Sequence, residues 1–67
     1  MNETEKQLYL GMKHNNFCMK DIETMKEEIQ DQKDLGATIV TRANIGTKKA
    51  TCNLDNGIRV TVEKAVK

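Results

Sequence analysis

The chain has 67 residues, of which 37% are hydrophobic and 31% charged, and it contains no proline or tryptophan. This length predicts one small domain over residues 1–67, and no run approaches the roughly 18 apolar residues that a membrane span requires. The net charge is +1, but the two halves of the chain carry opposite net charges. Residues 1–36 hold five lysines and eight carboxylates, whereas residues 37–67 hold six basic residues and two carboxylates.

The first helix is predicted over residues 5–13. A capping box begins at Thr4 and satisfies the first free backbone N–H groups of this helix. Leu8 and Met12 then lie four residues apart and share one face. A polar break follows, in which Asn16 is expected to cap the next helix.

The second helix is predicted over residues 17–34. Gly36 is well placed to end it, because glycine readily takes the left-handed conformation that follows many helices. The spacing of its apolar residues by four, three and four predicts one buried stripe, made of Cys18, Ile22, Met25 and Ile29.

From residue 37 onward the apolar residues recur with a period of two, which indicates half-buried strands. Ile39 is expected to face the core, and Val40 is expected to face outward. Three strands are predicted, over residues 38–45, 49–54 and 58–66. The fold class is therefore α+β, with two layers: two N-terminal helices packed on a three-stranded antiparallel meander.

Two turns predict the register of this sheet. Residues 46–47 suit a two-residue turn that pairs Ala43 with Ala50. Residues 55–57 suit a three-residue loop with Gly57 in the left-handed region. Both turns keep the apolar side chains on one face. The second loop pairs Ala50 with Val62, Cys52 with Val60 and Leu54 with Ile58.

A domain of this size usually needs a disulfide, a metal or oligomerisation for stability. Cys18, Cys52 and His14 lie far apart in the sequence and predict neither a disulfide framework nor a metal site. No signal peptide is recognised, so we expect a cytoplasmic protein with reduced thiols. Because both edge strands of the predicted sheet are open, a homo-oligomer is expected.

No phosphate-binding loop, nucleophile elbow or zinc-protease motif occurs in the sequence. The chain is therefore expected to be a binding protein without catalytic activity or cofactor. The leading hypothesis is a small regulator or inhibitor that docks on a larger cytosolic protein. The composition is similar to that of accessory proteins from phages and mobile elements, and a purely structural, self-assembling subunit is a further alternative.

Docking is predicted through a row of carboxylates on the second helix, opposite its apolar stripe. These residues repel one another at a spacing of four, which a solvated face tolerates and a basic partner would relieve. A helix, a break, a second helix and a hairpin would also suit a winged helix-turn-helix, but this acidic helix would repel DNA phosphates. The predicted acidic stripe consists of Glu23, Glu27, Asp31 and Asp34.

The alternative hypothesis uses the outer face of the sheet to bind an anionic ligand, a nucleotide or a nucleic acid. Arg42, Lys49 and Arg59 are its predicted binding residues. An ordinary solvated face with a Lys49–Glu63 cross-strand pair explains the same pattern. The predicted rows across the face are Arg42 with Thr51 and Thr61, Val40 with Asn53 and Arg59, and Asn44 with Lys49 and Glu63.

A last group of side chains comes from the first predicted helix and from the residue that follows the polar break. Tyr9, Leu10 and Phe17 are predicted to form the seam of the homo-oligomer if they are exposed together. The other interpretation, that they complete a small core, follows equally from their chemistry.

Overall fold

The structure is a computed structural model that describes residues 2–65. Two helices pack on one face of an antiparallel sheet with the strand order β1-β2-β3, which confirms the predicted α+β class. Neither helix in this range is long and apolar enough to cross a membrane. The elements are α1 (Glu3–His14), α2 (Met19–Asp34), β1 (Val40–Ile45), β2 (Lys49–Leu54) and β3 (Arg59–Glu63).

Helix α1 begins two residues earlier than predicted because Asn2, and not Thr4, caps it. The Asn2 Oδ1 atom accepts a hydrogen bond of 3.1 Å from the backbone N–H of Glu5. The Asn2 Nδ2 atom donates to the carbonyl of Val40 at 2.7 Å. Asparagine caps helices better than threonine, and here it also ties the start of the helix to the sheet.

The prediction that Asn16 caps α2 is wrong, because Asn16 ends α1. Its φ is 65°, in the left-handed region. The N–H of Phe17 donates to the carbonyl of Met12 at 3.0 Å. This bond, which spans five residues, closes the helix as a Schellman motif. Cys18 then becomes the N-cap of α2 and is exposed, so its predicted place in the buried stripe is also wrong.

The end of α2 follows the prediction. Gly36 has a φ of 117°, and the N–H of Ala37 donates to the carbonyl of Gln32 at 3.0 Å. These contacts satisfy carbonyl groups that the last turn of the helix leaves free. The chain then turns back toward the sheet.

The hydrophobic core lies between the helices and the inner face of the sheet. The Sγ atom of Cys52 lies 3.9 Å from the Sδ atom of Met25, which shows how closely β2 and α2 pack. The predicted apolar faces of both helices are confirmed apart from Cys18. The buried hydrophobic residues are Leu8, Met12, Phe17, Ile22, Met25, Ile29, Ala37, Val40, Ala50, Cys52, Leu54, Val60 and Val62.

The β2–β3 hairpin has the predicted register, with Cys52 opposite Val60. The N–H of Gly57 donates to the carbonyl of Leu54 at 3.0 Å, and Gly57 has a φ of 87°. These features confirm the three-residue loop. Strand β3 ends at Glu63, before the predicted end at residue 66, which lies outside the described residues.

The β1–β2 hairpin differs from the prediction by two residues. The N–H of Gly46 donates to the carbonyl of Lys49 at 2.8 Å, so the turn lies at residues 47–48. Ala43 consequently pairs with Cys52 and not with Ala50. A shift of two residues leaves every side chain on the same face, so the hydrophobic pattern does not distinguish these two registers.

An irregularity between Val40 and Arg42 reverses the predicted orientation at the start of β1. Val40 is fully buried opposite Leu54, whereas Ile39 is 44% exposed. One additional residue in β1 changes the face on which the preceding side chains lie. The prediction of an inward Ile39 and an outward Val40 is therefore wrong.

Contacts on both sides hold the start of β1 in this position. The N–H of Thr38 donates to the carboxylate of Asp55 at 2.8 Å, and the N–H of Asp55 donates to the carbonyl of Ile39 at 3.2 Å. Hydrogen bonds from the hydroxyl and the N–H of Thr38 lower the pKa of Asp55. Together with the bond from Asn2 to Val40, the hydrogen bonds of Thr38 and Ile39 with Asp55 hold the chain at the start of β1.

Candidate anion-binding site

Three polar side chains form a row across the outer face of the sheet. Arg42 on β1 and Arg59 on β3 both pair with Asn53 on the central strand. The predicted row of Arg42 with Thr51 and Thr61 is wrong, because β1 is shifted by two residues against β2. The correction brings two guanidinium groups to opposite sides of one amide.

This row is one end of a trough that runs along β2. Thr51 and Asn53 are half-buried and form its floor, whereas Arg42, Lys49 and Arg59 are exposed at its sides and end. All three residues predicted to bind an anion therefore line one depression. Its volume is about 300 Å³, and its lining residues are Arg42, Asn44, Lys49, Thr51, Asn53 and Arg59.

A second and larger depression, of about 560 Å³, continues from Lys49 toward the end of the sheet. Its lysine Lys64 already has partners, because its Nζ atom donates to the carbonyl of Asn15 and lies 5.0 Å from the centre of the Phe17 ring. The two depressions share Lys49, so basic residues follow one another along the face. The second depression is lined by Thr47, Lys48, Lys49, Glu63, Lys64 and Ala65.

Arg42, Lys49 and Arg59 form no ion pair within residues 2–65. In this range, the only ion pair with an N–O distance of 4.0 Å or less joins Lys33 and Glu5, on the helical side of the molecule. Lys49 and Glu63 are opposite each other in the register but do not form an ion pair. The side chains of the trough are thus available to an external anion.

The predicted acidic stripe lies on the opposite side of the molecule. Glu23, Glu27, Asp31 and Asp34 are all exposed on α2. The Nε2 atom of Gln30 donates to the carboxylate of Asp34 at 3.1 Å. The helical half of the chain therefore carries an excess of carboxylates, and the sheet carries an excess of basic residues.

The predicted oligomer seam is not exposed as a group. Phe17 is buried and belongs to the core, whereas Leu10 is 50% exposed. Tyr9 is half-buried, and its hydroxyl group donates to the carboxylate of Glu5 at 2.8 Å. Leu10 is the only one of the three side chains that is largely open to solvent.

A buried polar cluster between α1 and α2 was not predicted. Glu5 is 5% exposed and accepts a hydrogen bond of 2.9 Å from the Nζ atom of Lys33. The ammonium group of Lys26 lies 5.3 Å from the centre of the Tyr9 ring. The spacing of four between Glu5 and Tyr9 was a usable signal, but the contact with Lys33 spans 28 residues.

The protonation of this cluster follows from its contacts. Burial alone would raise the pKa of Glu5, but the hydrogen bonds from Lys33 and Tyr9 and the charge of Lys33 outweigh it and lower that pKa. Burial, together with the hydrogen bond to Glu5, raises the pKa of Tyr9. Glu5 is therefore an anion and Tyr9 a neutral donor at neutral pH.

The remaining reactive side chains are dispersed. Cys52 is buried, which raises the pKa of its thiol to about 11, whereas Cys18 is exposed. His14 is exposed at the end of α1. Within residues 2–65, no three histidine, cysteine or carboxylate side chains are grouped to hold a metal ion.

Comparisons of the chain with protein-family models, with curated proteins and with solved structures give no match. The fold and the two charged surfaces are thus the observations from which a function is argued.

Proposed function

We propose that this protein is a non-catalytic binding protein whose outer sheet face takes an anionic, phosphate-bearing ligand. The row of Arg42, Asn53 and Arg59 carries this proposal. The two arginines flank the half-buried Asn53 on the neighbouring strands, and neither forms an ion pair within the described residues.

The spacing of the row suits one phosphate group. Neighbouring strands lie about 4.8 Å apart, so the Cα atoms of Arg42 and Arg59 are separated by roughly 10 Å. Both long side chains can reach a group held above Asn53. A guanidinium presents paired N–H donors that match two oxygens of a phosphate.

The proposal predicts that binding of inorganic tripolyphosphate depends on the two arginines. In isothermal titration calorimetry at 50 mM salt, the Arg42→Gln/Arg59→Gln variant should bind at least 10-fold more weakly than the wild type. A hydrogen bond to a charged group contributes about 1.5–3 kcal/mol, and about 1.4 kcal/mol is a factor of ten. The loss for the two arginines together is thus expected to be at least one order of magnitude.

The Lys6→Gln/Lys20→Gln variant is the matched control, because it also removes two exposed positive charges but from the helices. Its affinity should stay within about threefold of the wild type, since only the net charge changes. Equal losses in the two variants would show that tripolyphosphate responds to net charge and not to this site.

A second candidate function is docking on a larger protein through the acidic stripe. All four carboxylates are exposed, and none forms an ion pair within the described part of the chain. A basic partner would relieve their mutual repulsion. A regulator or inhibitor that acts in this way would keep its sheet face free.

Charge reversal tests the second candidate. The Glu23→Lys/Glu27→Lys/Asp31→Lys variant should lose a partner that cross-links to the wild type in a host lysate. Reversal at the exposed residues Glu3, Glu28 and Glu63 should retain that partner. A partner retained by both variants would contradict docking through the stripe.

The proposal includes self-association in the cytoplasm. Strands β1 and β3 each lack a neighbouring strand on one side within residues 2–65, which supports pairing with another copy. Both cysteines are free, and one is buried while the other is exposed. Free thiols fit a reducing compartment.

A further inference from the structure

We infer that the ligand of the outer face is single-stranded nucleic acid, bound along β2 through its phosphates and without base specificity. This inference rests on the proposed function, since it uses the same trough. The inference names the chemical class of the ligand, its path along β2 and its lack of base specificity.

The path of the nucleic acid follows from β2, the strand that forms the floor of the trough. Asn53, Thr51 and Lys49 project from β2 on the same face, and they cover about 13 Å at about 3.3 Å per residue. The arginine pair lies at one end of this line and Lys49 at the other. At Lys49 the trough joins the second depression, which adds the exposed Lys48. The basic path is therefore elongated.

An elongated path of separated cations fits a polymer better than a free nucleotide. A single phosphate at Arg42 and Arg59 leaves Lys49 without a partner. Small-molecule sites are usually enclosed and mostly apolar, whereas this trough is open to solvent and lined by polar side chains. Successive phosphates of one strand would engage both ends, and each contact would add affinity through counterion release.

The depth of the trough favours a single strand over a duplex. Thr51 and Asn53 are half-buried below side chains that stand on both neighbouring strands, roughly 10 Å apart. One flexible sugar–phosphate backbone can follow this floor. A stiff duplex would rest on the arginine side chains, and its phosphates would not reach Thr51 and Asn53.

The lack of base specificity follows from the residues on this face. The chain has one tyrosine and one phenylalanine, and both lie on the helical side, where Tyr9 contacts Glu5 and Phe17 is buried. The outer face therefore offers no aromatic ring on which a base could stack. Its arginine, lysine, asparagine and threonine donors suit phosphate and sugar oxygens, which carry no sequence information.

Fluorescence anisotropy with labelled oligo(dT) of 2, 4, 8 and 12 nucleotides tests this inference. The 8-mer should bind at least 10-fold more tightly than the 2-mer, because it reaches Lys49 as well as the arginines. Two contacted phosphates, one at the arginine pair and one at Lys49, predict a slope near −1.4 for log K against log salt, or a roughly 7-fold loss between 50 and 200 mM. Mixed-sequence 8-mers should bind within about threefold of oligo(dT), and a duplex of equal length at least 10-fold more weakly.

The Lys49→Gln variant tests the direction of the strand. It should reduce the advantage of the 8-mer over the 2-mer and make the salt slope shallower by about 0.7. The Lys20→Gln variant removes one exposed lysine from α2 and should leave both quantities unchanged. An equal effect of the two variants would contradict a strand that passes Lys49.

The outcomes separate this inference from the proposed function. Arginine-dependent binding of tripolyphosphate, with no advantage for the 8-mer or with equal binding of the duplex, would overturn the inference and leave the proposed function standing. Failure of the wild type to bind both tripolyphosphate and the oligonucleotides would overturn both.

Discussion

The Leu8→Ala variant is expected to lose about 3–5 kcal/mol of unfolding free energy. Leu8 is 0% exposed and lies in α1, which packs against β1. Truncation removes its buried apolar surface and leaves a cavity, and such losses typically reach 2–5 kcal/mol. A domain of this size has a total stability of roughly 3–10 kcal/mol. Urea denaturation followed by circular dichroism should therefore show a large shift, with part of the variant unfolded without urea.

Leu10→Ala is the matched control, because it makes the same substitution in the same helix. Leu10 is half-exposed, so its truncation removes little buried surface and should change the stability by less than about 1 kcal/mol. Comparable losses at the two positions would contradict the orientation of α1 on the sheet.

The Lys33→Met variant is expected to lose about 2 kcal/mol. It leaves the carboxylate of Glu5 buried with Tyr9 as its remaining side-chain partner. Breaking a fully buried ion pair costs about 3–5 kcal/mol, and the value is smaller here because the side chain of Lys33 is 25% exposed. The Glu5→Leu/Lys33→Met variant should recover most of the loss, since an apolar pair needs no compensating charge.

The same pair gives a dependence on pH with a defined sign. The folded-state pKa of Glu5 is lowered, so its contribution is fully present above the unfolded pKa of about 4.3 and is lost as the pH falls through the folded value. Removal of Lys33 raises the folded pKa. The stability difference between wild type and Lys33→Met should therefore shrink toward low pH in urea titrations from pH 7 to pH 3.

Lys26→Met supplies the control for this series. Lys26 is an exposed residue of the same helix and contacts the Tyr9 ring without touching Glu5. An exposed contact of this kind contributes about 0.5–1 kcal/mol, and its loss should not depend on pH in the acidic range. An equal pH dependence in both variants would contradict the role of the Glu5–Lys33 pair.

The two hairpins show how far local sequence predicts a sheet. In the β2–β3 hairpin, the turn chemistry of residues 55–57 and the apolar alternation agree on one register, and the structure confirms it. In the β1–β2 hairpin, the alternation allows two registers that differ by two residues. The irregularity before Arg42 accompanies contacts from Asn2 and Asp55. Both residues are distant in sequence, so the residues of β1 alone do not predict these contacts.

The same ambiguity in the β1–β2 register limits how far the sequence predicts the candidate site. A shift of two residues keeps a side chain on its face, so the prediction for Arg42 gives the correct side of the sheet but the wrong row. The predicted pairings of Arg59 with Asn53 and of Lys49 with Glu63 are confirmed, because they depend only on the β2–β3 register. The Glu5–Lys33 contact was missed because charged residues on a helix are normally solvated, and here α2 covers one of them.

The separation of charge between the two layers gives the molecule an electric dipole directed from α2 toward the sheet. Such a dipole turns the protein as it approaches a polyanion, so the basic face leads and the carboxylates trail. Copies bound side by side on one strand would all point their acidic helices into solution. The strand would keep its negative sign toward the surroundings, although its own phosphates were covered.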